Sequence, residues 1–112
     1  MDCIFCSIIE KKLPASFIHE DERVVVFADI HPKARIHLLI VPKTHIASVA
    51  EAQDEHTELL GTLLVCARDV ARAQGIAERG YKIVINTGAD GGQIIPHLHL
   101  HLLGGEPVRG LV

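Results

Sequence analysis

Short apolar runs alternate with charged turns through the first third of the chain, and one long stretch of helical periodicity follows near its middle. Ile4 to Glu10 has the length of one or two helical turns, and Leu13-Pro14 ends it, because proline disfavours helix in the residue before it. Ser16 to His19 and Val24 to Asp29 predict two strands joined by the charged turn Glu20-Asp21-Glu22-Arg23, a hairpin. His31-Pro32-Lys33 predicts a loop, and His37-Leu38-Leu39-Ile40-Val41 a near-continuous apolar strand closed by Pro42. Ser48-Val49-Ala50-Glu51 matches a capping box and predicts a short helix. Leu59, Leu60, Leu63, Leu64, Ala67, Val70 and Ala71 recur at three- and four-residue spacing, which predicts a helix from near Asp54 or Glu55 to Gly75. Roughly twenty residues at 1.5 Å each span about 30 Å, enough to cross one face of a sheet. Tyr81 to Asn86 predicts another strand, and after the loop Thr87 to Gln93 a last strand runs from Pro96 to Leu103, ended by Gly104-Gly105. One long helix beside early hairpins predicts an α+β domain, its antiparallel sheet covered by helices on one side, rather than a parallel βαβ fold.

Composition narrows the function classes. A chain of 112 residues, 48% hydrophobic and 22% charged, is one ordinary globular domain, expected to span 1–112. A net charge of -3 leaves no broad basic face for duplex nucleic acid, so nucleic acid is not an expected partner. No run of about 18 apolar residues predicts a membrane span, and no signal-like apolar run precedes Glu10-Lys11-Lys12. Three cysteines, two of them only three positions apart, make no disulfide framework, which points to the reducing cytoplasm. Eight histidines against a 4% aromatic content direct attention to imidazole chemistry.

His97-Leu98-His99-Leu100-His101-Leu102 alternates strictly, so on a strand the three imidazoles share one face and the leucines the other. A single metal held by all three is disfavoured, since His97 and His101 would sit about 13 Å apart at the backbone. A solvated histidine face is the bland alternative. Phosphate chemistry suits the row better: one neutral imidazole is a competent nucleophile near neutral pH, and a protonated neighbour can hydrogen-bond and partly neutralise a phosphoryl oxygen. The Gly88 to Gln93 turn just ahead adds backbone N–H groups that an anion can approach closely.

His97-x-His99-x-His101 followed by Gly104-Gly105 resembles the histidine triad (HIT) superfamily, and several further stretches resemble its Hint branch. These are Ile4-Phe5-x-x-Ile8-Ile9, Phe27-Ala28-Asp29-Ile30-x-Pro32, His37 to Pro42 with Lys43-x-His45-Ile46, and Asn86 with Asp90-Gly91-Gly92-Gln93. The resemblance implies a five-stranded antiparallel sheet with one long and one or two short helices, and a homodimer. It also implies hydrolysis or transfer of a purine nucleoside monophosphate from conjugates such as phosphoramidates; nucleotide binding without turnover and dinucleoside polyphosphate hydrolysis are the alternatives. By the same resemblance, His99 is the nucleophile that forms a nucleotidyl-histidine, His101 contacts the phosphate oxygens and His37 supports them. Asn86, Gly92 and Gln93 lie on the phosphate side, and Asp29 holds the ribose hydroxyls. Ile4, Phe5, Ile8, Phe27 and Ile30 would wall the base pocket, although from their residue types alone these five read as core.

A second constellation is Cys3-x-x-Cys6 with His45 and His97. The βαβ context of a thioredoxin-like redox motif is missing, and two thiolates with two imidazoles make a closed tetrahedral zinc set. Sharing the first triad histidine resembles zinc-containing members of the superfamily, and thiols packed as small hydrophobes are the alternative. Cys66, on or beside the apolar stripe of the long helix, is expected to be buried and inert, and His19, His31 and His56 to be surface residues. Ile94 departs from the Hint pattern, which places a polar side chain after the glutamine, so here no side chain at that position can pass a proton to a leaving group. Packing against the strand is the alternative reading of Ile94.

Overall fold

The computed structural model describes residues 3–110. Helix α1 (Ile4–Ile9) leads into strands β1 (Phe17–Glu20), β2 (Val24–Ala28) and β3 (Ile36–Pro42); helix α2 (Thr57–Ala73) then precedes β4 (Lys82–Val84) and β5 (Leu100–Gly104). The strands form one sheet in the order β1-β2-β3-β5-β4, every neighbouring pair antiparallel, so the predicted α+β class holds and β1 and β4 are its edges. None of the described helices is long and apolar enough to cross a membrane.

Alternation along the central strands gives the sheet two apolar faces. Val24, Val26, Leu38, Ile40, Leu98, Leu100 and Leu102 pack against Leu59, Leu63, Ala67 and Val70 of α2. Val25, Phe27, Leu39 and Val41 point the other way and pack against Cys3, Phe5 and Ile8. The helices therefore lie on both faces, not on one as expected, because α1 carries its own apolar side to the face opposite α2. Each fully buried leucine or valine here contributes roughly 1.5–3 kcal/mol.

Local chemistry explains where the elements stop. The Cys3 thiol accepts the Cys6 N–H at the start of α1. That helix ends before Pro14: Lys11 N–H bonds Ile8 O and Lys12 N–H bonds Ser7 O, with Lys11 in the left-handed region at φ 65°. The same pair of bonds closes α2, from Gly75 N–H to Arg72 O and from Ile76 N–H to Ala71 O, with Gly75 at φ 75° and Ile76 buried beneath. The capping box expected at Ser48 does not form, and only a single 3-10 turn, Val49–Glu51, follows it. Instead Gln53 and His56 cap each other around a second 3-10 turn, Asp54–His56, so α2 proper begins at Thr57.

The largest departure from expectation is the last strand. It begins at Leu100, not Pro96, and β4 correspondingly stops at Val84. Pairing runs from Ile36 with Gly104 to Ile40 with Leu100. Two residues further on, Pro42 would face Leu98, and proline has no N–H to give the ladder. The stretch that carries His97 and His99 is therefore held by other bonds.

Candidate active site and metal cluster

His97 and His99 are buried and His101 half-buried, all toward the face covered by α1, where Phe5 meets both His97 and His99 in T-shaped contacts. The histidine face is thus packed instead of solvated. Burial pushes the pKa of His37, His97 and His99 below the ordinary imidazole value, and it takes His101 to about 4 with the help of His99 and His37 beside it. These rings are neutral at pH 7, each with one N–H, and the hydrogen bonds identify which nitrogen carries it.

The assignment is unique for the central group. His99 Nδ1–H donates to the carbonyl of His97 at 2.7 Å, which leaves the Nε2 lone pair free. Lys33 N–H donates to His37 Nδ1 at 3.0 Å, so the hydrogen of His37 is on Nε2 and is donated to His101 Nδ1 at 2.9 Å. His101 then carries its own hydrogen on Nε2. The ring centroids of His99 and His101 are 5.0 Å apart, so the ring with the free lone pair and the ring with the free N–H are neighbours. Asp29, expected at the ribose, accepts the His31 N–H through Oδ1 and brings Oδ2 within 3.4 Å of His37 Nε2.

Two groups of metal-ligand type occur among the described residues, and the same reasoning separates them. In the group Asp29, His37 and His101, the nitrogen of His37 that faces the others is protonated, so it has no lone pair for a cation. In the group Cys3, Cys6, His45 and His97, the situation reverses. His97 Nε2–H donates to the carbonyl of Pro42 at 2.9 Å, which turns the Nδ1 lone pair inward. It lies 3.3 Å from Cys3 Sγ, 3.1 Å from His45 Nδ1 and 3.7 Å from Cys6 Sγ, and Cys6 Sγ lies 3.4 Å from His45 Nδ1. An ion with bonds of about 2.0–2.3 Å to N and S has ligand edges of about 3.3–3.8 Å in a tetrahedron, so this donor set fits zinc. In the metal-free chain, burial and the adjacent Cys3 thiol push Cys6 up to about 11.

The remaining expected residues fall into place less evenly. Phe5, Ile8 and Phe27 are core residues beneath the imidazoles, whereas Ile4 is 48% and Ile30 84% exposed. Asn86 and Gln93 brace the glycine loop: Asn86 Nδ2 donates to Gly91 O, Gly88 N–H donates to Gln93 Oε1, and Gln93 Nε2 donates to Ala47 O and Ile95 O. Gly91 is required there, since a Cβ would stand 2.3 Å from the carbonyl oxygen of Thr87. Ile94 is 90% exposed, which removes the reading that it packs against the strand. Cys66 is half-buried and burial pushes its thiol up to about 11, in keeping with an inert cysteine. His19 and His31 are exposed, and half-buried His56 accepts the Gln53 N–H. The groups that the sequence could not flag are backbone atoms: the N–H of Lys33 and the carbonyls of Pro42 and His97.

A family model described as "Scavenger mRNA decapping enzyme C-term binding" matches residues 2–108. The chain is 46% identical to Protein HitA of Neisseria gonorrhoeae over 103 residues, 92% of this chain and 95% of that protein. It is 40% identical to the purine nucleoside phosphoramidase of Escherichia coli K12 over 107 residues, 96% of this chain and 90% of that enzyme. The crystal structure of a HIT family hydrolase from Legionella pneumophila superposes with a TM-score of 0.93 at 44% identity, covering 95% of each chain. Together with the fold and the three imidazoles, these likenesses establish that the chain belongs to the histidine triad (HIT) family.

Proposed function

We propose that this HIT hydrolase releases a purine nucleoside 5'-monophosphate from phosphoramidate-type conjugates through a nucleotidyl-histidine intermediate. The observation that carries the reading is the pair of complementary tautomers, a free lone pair on His99 Nε2 beside an N–H on His101 Nε2. In the first step the His99 lone pair bonds to the α-phosphorus and the phosphorus–nitrogen bond breaks. Its electron pair leaves with the amine, which takes a proton from a water molecule, while the His101 Nε2–H hydrogen-bonds the phosphoryl oxygen on which charge develops. The imidazolium character that His99 gains is stabilised through Nδ1–H by the His97 carbonyl. In the second step the hydroxide left by that water bonds to phosphorus, the phosphorus–Nε2 bond breaks with its electron pair returning to His99, and the monophosphate departs. The name of the relative from Escherichia coli supports purine and phosphoramidate as the substrate class.

Single-turnover release of AMP from an alkyl or aminoacyl phosphoramidate, with a diadenosine polyphosphate run in parallel, tests this. Nucleotide binding with no release from either substrate refutes the enzymatic reading, and release from the polyphosphate alone reassigns the substrate class.

Two companion readings belong here. Zinc held by Cys3, Cys6, His45 and His97 would join α1, the segment after β3 and the approach to β5, a closed four-ligand set of the structural kind. A homodimer is supported by the open edge of β4 and by exposed Leu64 and Val65 on α2.

A further inference from the structure

The segment that orients the nucleophile lies outside the sheet. His99 is held by the carbonyl of His97, yet the ladder between β3 and β5 ends at Leu100. The backbone at residues 97 and 98 has two bonds of its own, His97 N–H to Ile95 O and Leu98 N–H to Ile46 O, and both acceptors lie in irregular chain. What anchors His97 beyond these is its side chain. The ring is fully buried, donates from Nε2 to Pro42 O and turns Nδ1 into the group of Cys3, Cys6 and His45. Three separate elements therefore converge on one imidazole, and the carbonyl attached to that residue selects which nitrogen of His99 is nucleophilic.

We infer that the Cys3–Cys6–His45–His97 cluster, when it holds its metal ion, is a positioning device for the nucleophile as well as a staple for α1. The ion clamps the His97 ring, the clamped ring fixes the peptide between residues 97 and 98, and that carbonyl keeps His99 as the Nδ1–H tautomer. His97, Cys3, Cys6 and His45 are positioning residues: none of them donates a bond to the reacting atoms. Without the ion, the inward nitrogens of His97 and His45, 3.1 Å apart, lose the cation that joins them. The His97 ring can then shift, and the carbonyl loses its aim. A displacement of about 1 Å at a reacting group can cost about a hundredfold in rate.

The inference rests on the proposed chemistry only for its kinetic arm, and the structural arm stands alone. At one fixed pH, the tautomer of His99 is read from long-range nitrogen–proton correlation spectra of the full chain, first zinc-loaded and then chelator-treated, with circular dichroism confirming that the sheet persists. The loaded protein should show only Nδ1–H at His99. The depleted protein should show a mixture, with kcat on a phosphoramidate lowered about tenfold or more and AMP affinity changed less than about threefold. An unaltered His99 tautomer after zinc removal from a folded chain overturns the inference, whatever the activity.

Should chelation unfold the protein, His45→Asn, which keeps both thiols and His97, replaces it in the same measurement. A His99 tautomer and kcat identical to the parent in that variant overturn the inference equally. If neither form turns over any phosphoramidate, the proposed function fails while the tautomer spectra still decide this point.

Discussion

His37 offers the sharpest test of tautomer control, because its two nitrogens do separate jobs. Nδ1 accepts from Lys33 N–H at 3.0 Å, and Nε2–H donates to His101 at 2.9 Å. Asparagine places an acceptor near the Nδ1 position but nothing at Nε2, whereas glutamine places an amide donor near Nε2 and leaves the Lys33 N–H without its acceptor. Both changes remove ring atoms from a buried site and break one hydrogen bond, so both should cost about 1–3 kcal/mol of stability. At about 4–8 °C per kcal/mol for a domain near this size, the two melting temperatures should fall together.

Activity should separate them. A hydrogen bond worth about 1–3 kcal/mol in this buried setting biases the His101 tautomer by roughly 5- to 150-fold. Loss of one preorganised donor to the developing phosphoryl charge costs about 10²–10³ at most. His37→Asn should therefore lower the single-turnover rate roughly 10- to 100-fold, and His37→Gln should stay within about fivefold of the parent. Rapid-quench measurement at saturating phosphoramidate, alongside thermal melts and AMP titrations, checks both. Equal rates for the two variants, or an asparagine variant faster than the glutamine one, would refute the tautomer assignment, because stability loss alone predicts no difference.

Further outcomes follow from the same geometry. His99→Asn should abolish turnover and leave AMP binding within severalfold, and residual activity within tenfold of the parent sinks its assignment as nucleophile. Metal analysis should find about one zinc per chain, and Cys3→Ala should lose both the metal and several degrees of melting temperature; a zinc-free preparation made without chelators favours packed thiols. Because the folded His101 titrates near 4 and an unfolded histidine near 6.5, its share of stability is complete above about pH 6.5 and drains away as pH falls toward 4, at up to about 1.4 kcal/mol per unit. Asp21, held near 2 by His19 and by backbone N–H groups, contributes above about pH 3.8 and loses its share only below that, so denaturant midpoints at pH 7, 5 and 3 separate the two. Ile94→Ser should raise kcat/KM on an alkylamine conjugate more than on an acyl adenylate, and equal changes on both show that proton delivery there is not limiting.

The chain pattern made the sheet legible, because apolar runs such as 24–28 and 37–41 announce strands directly and the leucines at 98, 100 and 102 set the register. Element ends were less legible. Lys11 takes a left-handed conformation that its residue type does not advertise, and Ser48 has the chemistry of a cap without the bond, while Gln53 and His56 supply one that a Ser/Thr rule overlooks. The start of β5 was hidden for a different reason. It depends on Pro42, a residue on another strand, and alternation in 96–103 carries no record of its partner. For the site, the candidate side chains could be named from the sequence but not the backbone groups that assign their protons, since every residue has a carbonyl.

That omission bears on mechanism. In a buried row of imidazoles, charge cannot distinguish one ring from the next, because burial pushes all of them toward the neutral form. Three chemically identical side chains then differ only in which nitrogen is already engaged. Pro42 O takes the Nε2–H of His97 and leaves a lone pair turned toward Cys3, Cys6 and His45; His97 O takes the Nδ1–H of His99 and leaves a free lone pair on Nε2; His37 fills the Nδ1 of His101 and leaves a donor. If burial were relieved and the rings protonated, every nitrogen would be a donor and these distinctions would vanish together. The packing of Phe5 and α1 over the triad is therefore part of the chemistry: it keeps the rings neutral, and neutrality is the condition under which neighbouring hydrogen bonds can give each ring a separate task.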